Sequence, residues 1–578
     1  MLVATFVLMS AYRVYFVFIP TALVTYLMKH SYRPLFSFFD EHYNGVYLDS
    51  AATTQKLDAV LAYTDEFARK QNASVHRSAY PLANRATAMF ESARSDIAKL
   101  IGALSSDEIV FTSGATESLN MIASGIPGAL LNGNTILLCE SEHHANILPW
   151  QALAKRLGLE IKVLPLSING TFTDDTLSQW LQAFTHDVAI FACAHVSNVL
   201  GNIYPIQLLC EKAKEIGAIS VIDGTQAVAH ISVNVQLLSC DFYVFSGHKM
   251  YAPTGIGICW GRFSLLNKLN PSKLGGEMVT KVTFKDFLMQ PPPLKFEAGT
   301  PNILGALGLH QASIFIANNL AGIQAHELDL YHYLYQKLMQ VRGIQVLGNY
   351  HQSIGVISFY APERDNHAIA MQLYQQGVAL RFGQHCAMPL MQSLGLSACL
   401  RVSLACYNDQ ADVDFFIGAL VASLCNLQEA PSDKGSLEVI NDAPANAWEL
   451  KIKQAVNWPE KHRQLLLLSN ALPLLAASER SSENAVQGCE ARVWLTKEPV
   501  SGLYRAYADS KVIRGILAVL LLKHQQIVES EDDCAAADFD YLAYLKSIGL
   551  SDYFSVGRKD GVQAVLGRMR HIDKHLSH

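Results

Sequence analysis

Five short apolar runs between residues 108 and 249 each end in side chains that can hold a ligand or move a proton. The run EIVFTSG passes through Gly114, Ala115 and Thr116 into ATESLNMIA, a turn into a helix whose first amides can bind a phosphate. TILLCESEHH delivers His143 and His144, VAIFACAHVSN delivers His195 and Asn198, ISVIDGTQ delivers Asp223 and Gln226, and FYVFSGHK delivers Ser246, His248 and Lys249. A lysine closing an apolar strand either escapes to solvent or has chemistry to do. A lysine, an aspartate, an imidazole and a phosphate cradle together are what pyridoxal phosphate requires. The lysine holds the aldehyde as a Schiff base, and the aspartate keeps the pyridine nitrogen protonated so that the ring acts as an electron sink. Each feature alone has a plainer reading. A lysine after a strand is usually a solvated surface residue, and Asp223 alone suits a helix N-cap. The His143–His144 pair suggests a metal, yet no His or Cys follows at i+3 or i+4 to complete a helical zinc pair. The coincidence of the five endings favours the cofactor and no metal.

For these endings to form one site, the runs must be neighbours in an open α/β sheet, where ligands bind outside the carboxyl ends of the strands. From about residue 109 to 260, apolar β-branched runs alternate with amphipathic ones such as LPWQALAKRLG and YPIQLLCEKAKEIGA, which predicts βα units around a mostly parallel sheet. Residues 300–425 predict a second, smaller α/β unit, with IGVISFYA as a strand and DNHAIAMQLYQQG as a helix. The polar, proline-bearing stretch QEAPSDKGSLEVINDAPAN, 428–446, predicts a linker, and 447–578 a helix-rich unit.

With 578 residues, half of them hydrophobic and 17% charged, the chain can bury more than one core. A net charge of -6 without a dense Lys/Arg stripe argues against nucleic acid as a partner. Eleven cysteines with no C-x-x-C pair suit a reducing cytosol and thiols used singly. Residues 1–28 are largely apolar, with Arg13 the one charge and Pro20 inside. That length would cross a bilayer, but a central arginine costs about 2.5–3.5 kcal/mol on insertion scales. No basic n-region and no A-x-A site mark a secretory signal. Residues 1–40 are therefore read as an apolar extension, either an anchor or the product of a start assigned ahead of Met28, with membrane contact expected only in the first case.

The segments YLDSAATTQK, SEHHANILPWQ, HVSNVLG, VIDGTQAV, DFYVFSGHKMYAPTGIG, FEAGTPN and RFGQHCAMPLM together resemble the Suf-type (group II) cysteine desulfurases. These are pyridoxal-phosphate enzymes of fold type I, with class-V aminotransferase-like large and small domains. The resemblance runs from about Val46 to Leu427 and marks 41–427 as the desulfurase domain. It implies that Lys249 is the Schiff-base lysine, Asp223 the pyridinium partner and His143 the ring-stacking acid/base. It assigns Gln226 and Asn198 to the ring hydroxyl and the substrate side, and Ala115, Thr116, Ser246 and His248 to the phosphate. It brings Thr300, from the GTPN turn, to the phosphate of the partner subunit in a homodimer. Arg401, in CLRVSLACYN, would clamp the substrate carboxylate, a task suited to a planar guanidinium. Cys386, which alone would read as a buried structural cysteine, becomes the thiol that takes the sulfur of L-cysteine as a persulfide while alanine is released. Arg381 and His385 are near enough in sequence to favour its thiolate. Phe382 and Gln384 depart from the small residue and the histidine usual there, which touches loop packing rather than chemistry.

Further on, NWPEKHRQLLLLSNALPLL, NAVQGCEARVWL, YADSKVIRGILAVLL and GRKDGV resemble the SufE-type (CsdE-like) sulfur acceptor proteins over about 447–578, an α+β domain. Composition alone makes Cys489 a packed core thiol; the resemblance makes it the acceptor, with Asp509 and Arg558 in support. Transfer requires one thiol to attack the outer sulfur of the other's persulfide. A linker of roughly 20 residues has an r.m.s. reach of about 25 Å and raises the local concentration to about the millimolar range. The expected protein is a cytoplasmic, homodimeric cysteine desulfurase with a tethered acceptor, feeding an iron–sulfur scaffold or other sulfur-cofactor assembly. Two alternatives stand beside it. One is a selenocysteine lyase, which shares the fold and asks less of Cys386. The other is a desulfurase whose C-terminal unit is a docking or regulatory module through which no sulfur passes.

Overall fold

The computed structural model describes residues 5–10, 13–18, 32–40 and 45–426, and most of 447–576. The chain divides into two compact units, Met1–Ala430 and Pro431–His578. The linker 428–446 lies outside the described residues.

In the first unit, the apolar runs become the strands of a seven-stranded sheet. Its order is Ile109–Thr112, Gly257–Gly261, Phe242–Ser246, Ile219–Asp223, Val188–Ala194, Thr135–Cys139, Glu160–Leu164. Every residue of Val188–Ala194, Ile219–Asp223 and Phe242–Ser246 is buried. This is why these strands read as continuous apolar runs rather than alternating ones: helices cover a parallel sheet on both faces. Gly257–Gly261 alone runs antiparallel to its neighbours. The carboxyl ends of the five runs singled out in the sequence therefore line one edge. Gly257 lets that edge close up, since a Cβ there would lie 2.4 Å from Gly114 Cα at the start of the helix Ala115–Gly125.

The smaller lobe is built on a four-stranded antiparallel sheet of Gln345–Leu347, Val356–Tyr360, Cys399–Ser403 and Arg381–Gly383. It does not begin at residue 300: Val46–Tyr47 pairs in parallel with Val378–Ala379, and Leu48 is buried in the same core. A pairing so distant along the chain leaves no local sequence signal. The helix Ile303–Gln340 was likewise not foreseen. Its first half places Ala306, Leu309, Ala312 and Ile316 in the core of the large sheet, and its second half places Leu330, Leu334 and Leu338 in that of the small one. It is long and apolar enough to cross a membrane, but more than half of its most apolar stretch is buried inside the protein. One continuous helix thus holds both lobes.

Residues 32–40, assigned by sequence to the N-terminal extension, pack into this unit. Phe36 is buried edge-on against Tyr251, Phe315 and Tyr407, and Arg33 Nη1 donates to Asp412 at 3.0 Å. The folded body thus includes Tyr32, ahead of the boundary drawn at residue 41. Farther out, Thr5–Ser10 pairs with Arg13–Phe18 as an antiparallel hairpin, so the apolar stretch is not one continuous helix.

The second unit sets the hairpin Val493–Lys497 and Tyr504–Ala508 with the helices Lys511–Glu529, Tyr541–Ser547 and Val556–Leu576. Tyr504, Ala506 and Ala508 alternate inward against Leu517 and Leu520, the pattern of a hairpin with one covered face. It is an α+β fold, as the resemblance implied.

Candidate active site

The edge of the large sheet supplies an anion cradle. Ala115 opens its helix with its N–H donating to Ser246 Oγ at 2.8 Å, and Thr116 stands exposed in the first turn. The remaining orphan amides of that turn and the positive helix end favour a phosphate. His248 flanks it, its Nδ1 3.3 Å from Thr53 Oγ1; burial, with Lys249 and Lys56 nearby, pushes its pKa down to about 4 and keeps it neutral.

Asp223 ends the strand beside Phe242–Ser246, buried, with Oδ1 accepting the Thr225 N–H at 3.0 Å. Burial raises its pKa, so this carboxylate gains by facing a cation. Lys249 is its cationic neighbour. Burial pushes the Lys249 amine down to about 8, with Arg401 and Arg381 adding to the push and Asp223 and Cys386 opposing it. A buried carboxylate, a lysine with a lowered pKa and a helix-end cradle fit the three polar ends of pyridoxal phosphate: pyridine nitrogen, aldehyde and phosphate.

This sets a pH dependence. Lys249 can attack an aldehyde only when unprotonated, and a lowered pKa makes it so at lower pH than a free lysine near 10.4. Cofactor uptake by the cofactor-free chain, followed by absorbance, is expected to rise with pH through about 8 and level off above it. A rate still climbing at pH 10 would contradict the buried amine.

His143 lies on the turn after Thr135–Cys139. Its Nδ1 accepts the Ala145 N–H at 3.0 Å, and burial followed by Lys249 brings its pKa to about 4. A neutral ring so engaged carries its proton on Nε2 and offers that N–H to the site. Gln226 Nε2 donates to the Ala51 carbonyl at 2.8 Å, and Asn198 Nδ2 to the His385 carbonyl at 2.9 Å. Each amide thus spends one donor on the protein and keeps its oxygen. His195 joins Tyr243 instead, Nδ1 to hydroxyl at 2.9 Å, a packing role.

Arg401 is almost wholly buried. Its Nη2 donates to Asp49 at 3.0 Å and its Nη1 to the Asn198 carbonyl at 2.9 Å, while Nε has no partner among the described residues. An aimed guanidinium with a spare buried donor suits a carboxylate. Cys386 is exposed on a turn where His385 and Cys386 both take left-handed backbone angles, φ 53° and 55°. The His144 N–H donates to the Cys386 carbonyl at 2.7 Å, so the thiol's turn is tied directly to the turn of His143.

One sequence expectation fails here. His385 does not lend charge to the Cys386 thiolate. Its ring is buried with Nε2 at 3.1 Å from the Cys399 carbonyl, and burial, then Arg401, drives its pKa to about 3. It is neutral and anchors the turn from below. Arg381 is exposed, and its charge reaches the site, as its effect on Lys249 and His143 shows.

Sequence reasoning missed Asp49 and Glu142 as working parts, and it brought His144 to the site without giving it a role. Asp49 lay in plain view as the acid of YLDSAATTQK, but its partner is 352 residues away. Glu142 is fully buried; its oxygens accept the Ala194 N–H at 2.8 Å and Asn146 Nδ2 at 2.7 Å, locking the His143 turn to the end of Val188–Ala194. Burial, with Cys139 beside it, pushes the pKa of this carboxyl well above the usual range. A glutamate inside an apolar strand ending was the available signal. Thr300 is exposed in the turn ahead of the helix Ile303–Gln340. In the second unit, Asp509 accepts from Arg492 Nε at 2.8 Å at the surface, and Arg558 lies within the helix Val556–Leu576. Cys489 lies outside the described residues.

Comparison with known proteins agrees with this geometry. Residues 46–416 match the aminotransferase class-V family, and residues 447–572 match the SufE family, an Fe-S metabolism associated domain. A probable cysteine desulfurase of Vibrio cholerae is 42% identical over 377 residues, 65% of this chain and 92% of that protein. A cysteine desulfurase of Yersinia pestis is 41% identical over 383 residues, 65% of this chain and 92% of its own length. Among solved structures, the cysteine desulfurase CsdA of Escherichia coli superposes with a TM-score of 0.63 at 36% identity, covering 69% of this chain and 98% of that one.

Proposed function

The chain belongs to the aminotransferase class-V family, with a SufE domain fused behind it, and from that premise we propose that it is a pyridoxal-phosphate-dependent cysteine desulfurase passing sulfur to its own acceptor domain. The observation that carries the sulfur chemistry is the 2.7 Å bond from the His144 N–H to the Cys386 carbonyl. It sets an exposed thiol on the piece of backbone that holds His143, within the electrostatic reach of Lys249.

When bound, pyridoxal phosphate supplies the electron sink that labilises bonds at the substrate carbons. Arg401, backed by Asp49, takes the carboxylate of L-cysteine on its spare donor. Cys386, as thiolate, attacks the substrate sulfur. An S–S bond forms, the C–S bond breaks, and the electron pair left on carbon takes up a proton to give alanine. Lys249, titrating near 8, and the Nε2–H of His143 are the groups placed to carry that proton. The thiolate of Cys489 then attacks the outer sulfur of the Cys386 persulfide, and Cys386 leaves as thiolate.

The SufE match supports an outlet in iron–sulfur cluster or related sulfur-cofactor assembly. The exposure of Thr300 suits a residue offered to a second copy of the chain, hence a homodimer. The nine described cysteines, all free thiols, suit a reducing cytoplasm.

A persulfide map tests the reading. The full chain is incubated with cofactor and L-cysteine, alkylated without reductant, and its Cys386 and Cys489 peptides are weighed. One added sulfur is expected on each thiol, and on neither in Cys386→Ser. Sulfur confined to Cys386 would sink the relay and leave the C-terminal unit a docking module.

A further inference from the structure

We propose that His144, the second histidine of the pair, is a positioning residue that clamps the sulfur-accepting thiol to the cofactor-stacking turn. The proposal rests on the reading of Cys386 as that thiol. Two bonds from one residue straddle the cysteine. The His144 backbone N–H donates to the Cys386 carbonyl at 2.7 Å, and the Met388 N–H donates to His144 Nε2 at 3.1 Å. Met388 opens the short helix Met388–Ser393, so the ring caps an amide that the helix itself leaves unpaired.

The turn needs holding. His385 and Cys386 are consecutive left-handed residues, and neither is glycine. L-residues avoid that region, and a pair of them persists only where the surroundings over-determine it. The other restraints act on residues flanking Cys386. Asn198 Nδ2 holds the His385 carbonyl at 2.9 Å, His385 Nε2 holds the Cys399 carbonyl at 3.1 Å, and the Ala387 N–H closes on the Gln384 carbonyl at 2.9 Å. His144 bonds both the carbonyl of the cysteine itself and the amide of the residue two beyond it. Because His144 follows His143 directly, the Cys386 turn is bonded to the segment that carries the stacking ring. Nε2 can accept only when unprotonated, and burial, which lowers the pKa of His144, favours that form.

The test uses the full-length holoenzyme and two variants. In His144→Ala, kcat for alanine formation from L-cysteine is expected to fall about tenfold, with KM changed by less than about threefold, as for loss of orientation rather than of binding. Cofactor absorbance should stay native. His144→Gln, whose side-chain oxygen can accept the Met388 N–H, should recover to within about threefold of the native kcat. Independently of turnover, the iodoacetamide alkylation rate of Cys386, read by peptide mass without L-cysteine, should shift at least about threefold in His144→Ala and return towards native in His144→Gln. Native kcat and native alkylation in His144→Ala, or a loss that glutamine fails to restore, would overturn the clamp. Should the native chain make no alanine at all, the desulfurase reading falls, while the alkylation comparison still decides the clamp.

Discussion

Lys249→Ala is expected to lower alanine formation from L-cysteine by about 10³-fold or more and to abolish the absorbance of covalently held cofactor. Two roles vanish with one side chain: the amine that captures the aldehyde, and the base that titrates near 8 at the end of Phe242–Ser246. No neighbour can replace it. Lys56 is the other amine that burial brings down to about 8, but its Nζ donates to the Thr54 carbonyl at 2.9 Å and the His248 carbonyl at 3.3 Å. It braces the segment 53–56 against the site. Lys56→Ala should therefore keep the covalent chromophore that Lys249→Ala loses. A chromophore surviving in Lys249→Ala would overturn the assignment of the whole cradle.

Cys386→Ser should hold its cofactor normally yet make alanine from L-cysteine at least about 100-fold more slowly, because a hydroxyl near neutral pH supplies almost none of the nucleophilic anion that a thiol does. Every other described thiol except Cys425 is buried. Cys399 is buried with its pKa pushed up to about 12, and Cys425 is exposed near the far end of the helix Gln410–Asn426. Persulfide should disappear from Cys489 as well, since the relay has no other source. The same variant separates the two enzyme readings. Selenium release from selenocysteine at the native rate, beside a collapsed desulfurase rate, would favour a lyase that never needed the thiol. Collapse with both substrates places Cys386 in the chemistry of each.

The two predictions were legible to different degrees. Lys249 stood out because a strand buried on both faces is written as an unbroken apolar run, and a charged residue ending it is conspicuous. The same holds for Asp223 at the end of ISVID and for the histidines after TILLC. The clustering of these endings followed from a general property of α/β sheets, and the register of the parallel strands delivers it. The backing of Arg401 by Asp49 was not legible, nor the pairing of Val46–Tyr47 with Val378–Ala379, because hydrogen bonds between residues more than 300 apart leave no periodicity in either segment.

His385 marks the boundary most sharply. It is next to Cys386 in the chain, and proximity alone made it a plausible cation. The fold turns it inward to the Cys399 carbonyl and strips its charge. The sequence by itself determined which residue types end each strand, the two-domain organisation and the chemistry those types can support, since these follow from local hydrophobic pattern and short motifs. The tertiary structure decided which of them are charged, which way each hydrogen bond runs and how the Cys386 turn is held. Desolvation and orientation depend on neighbours that only folding brings near.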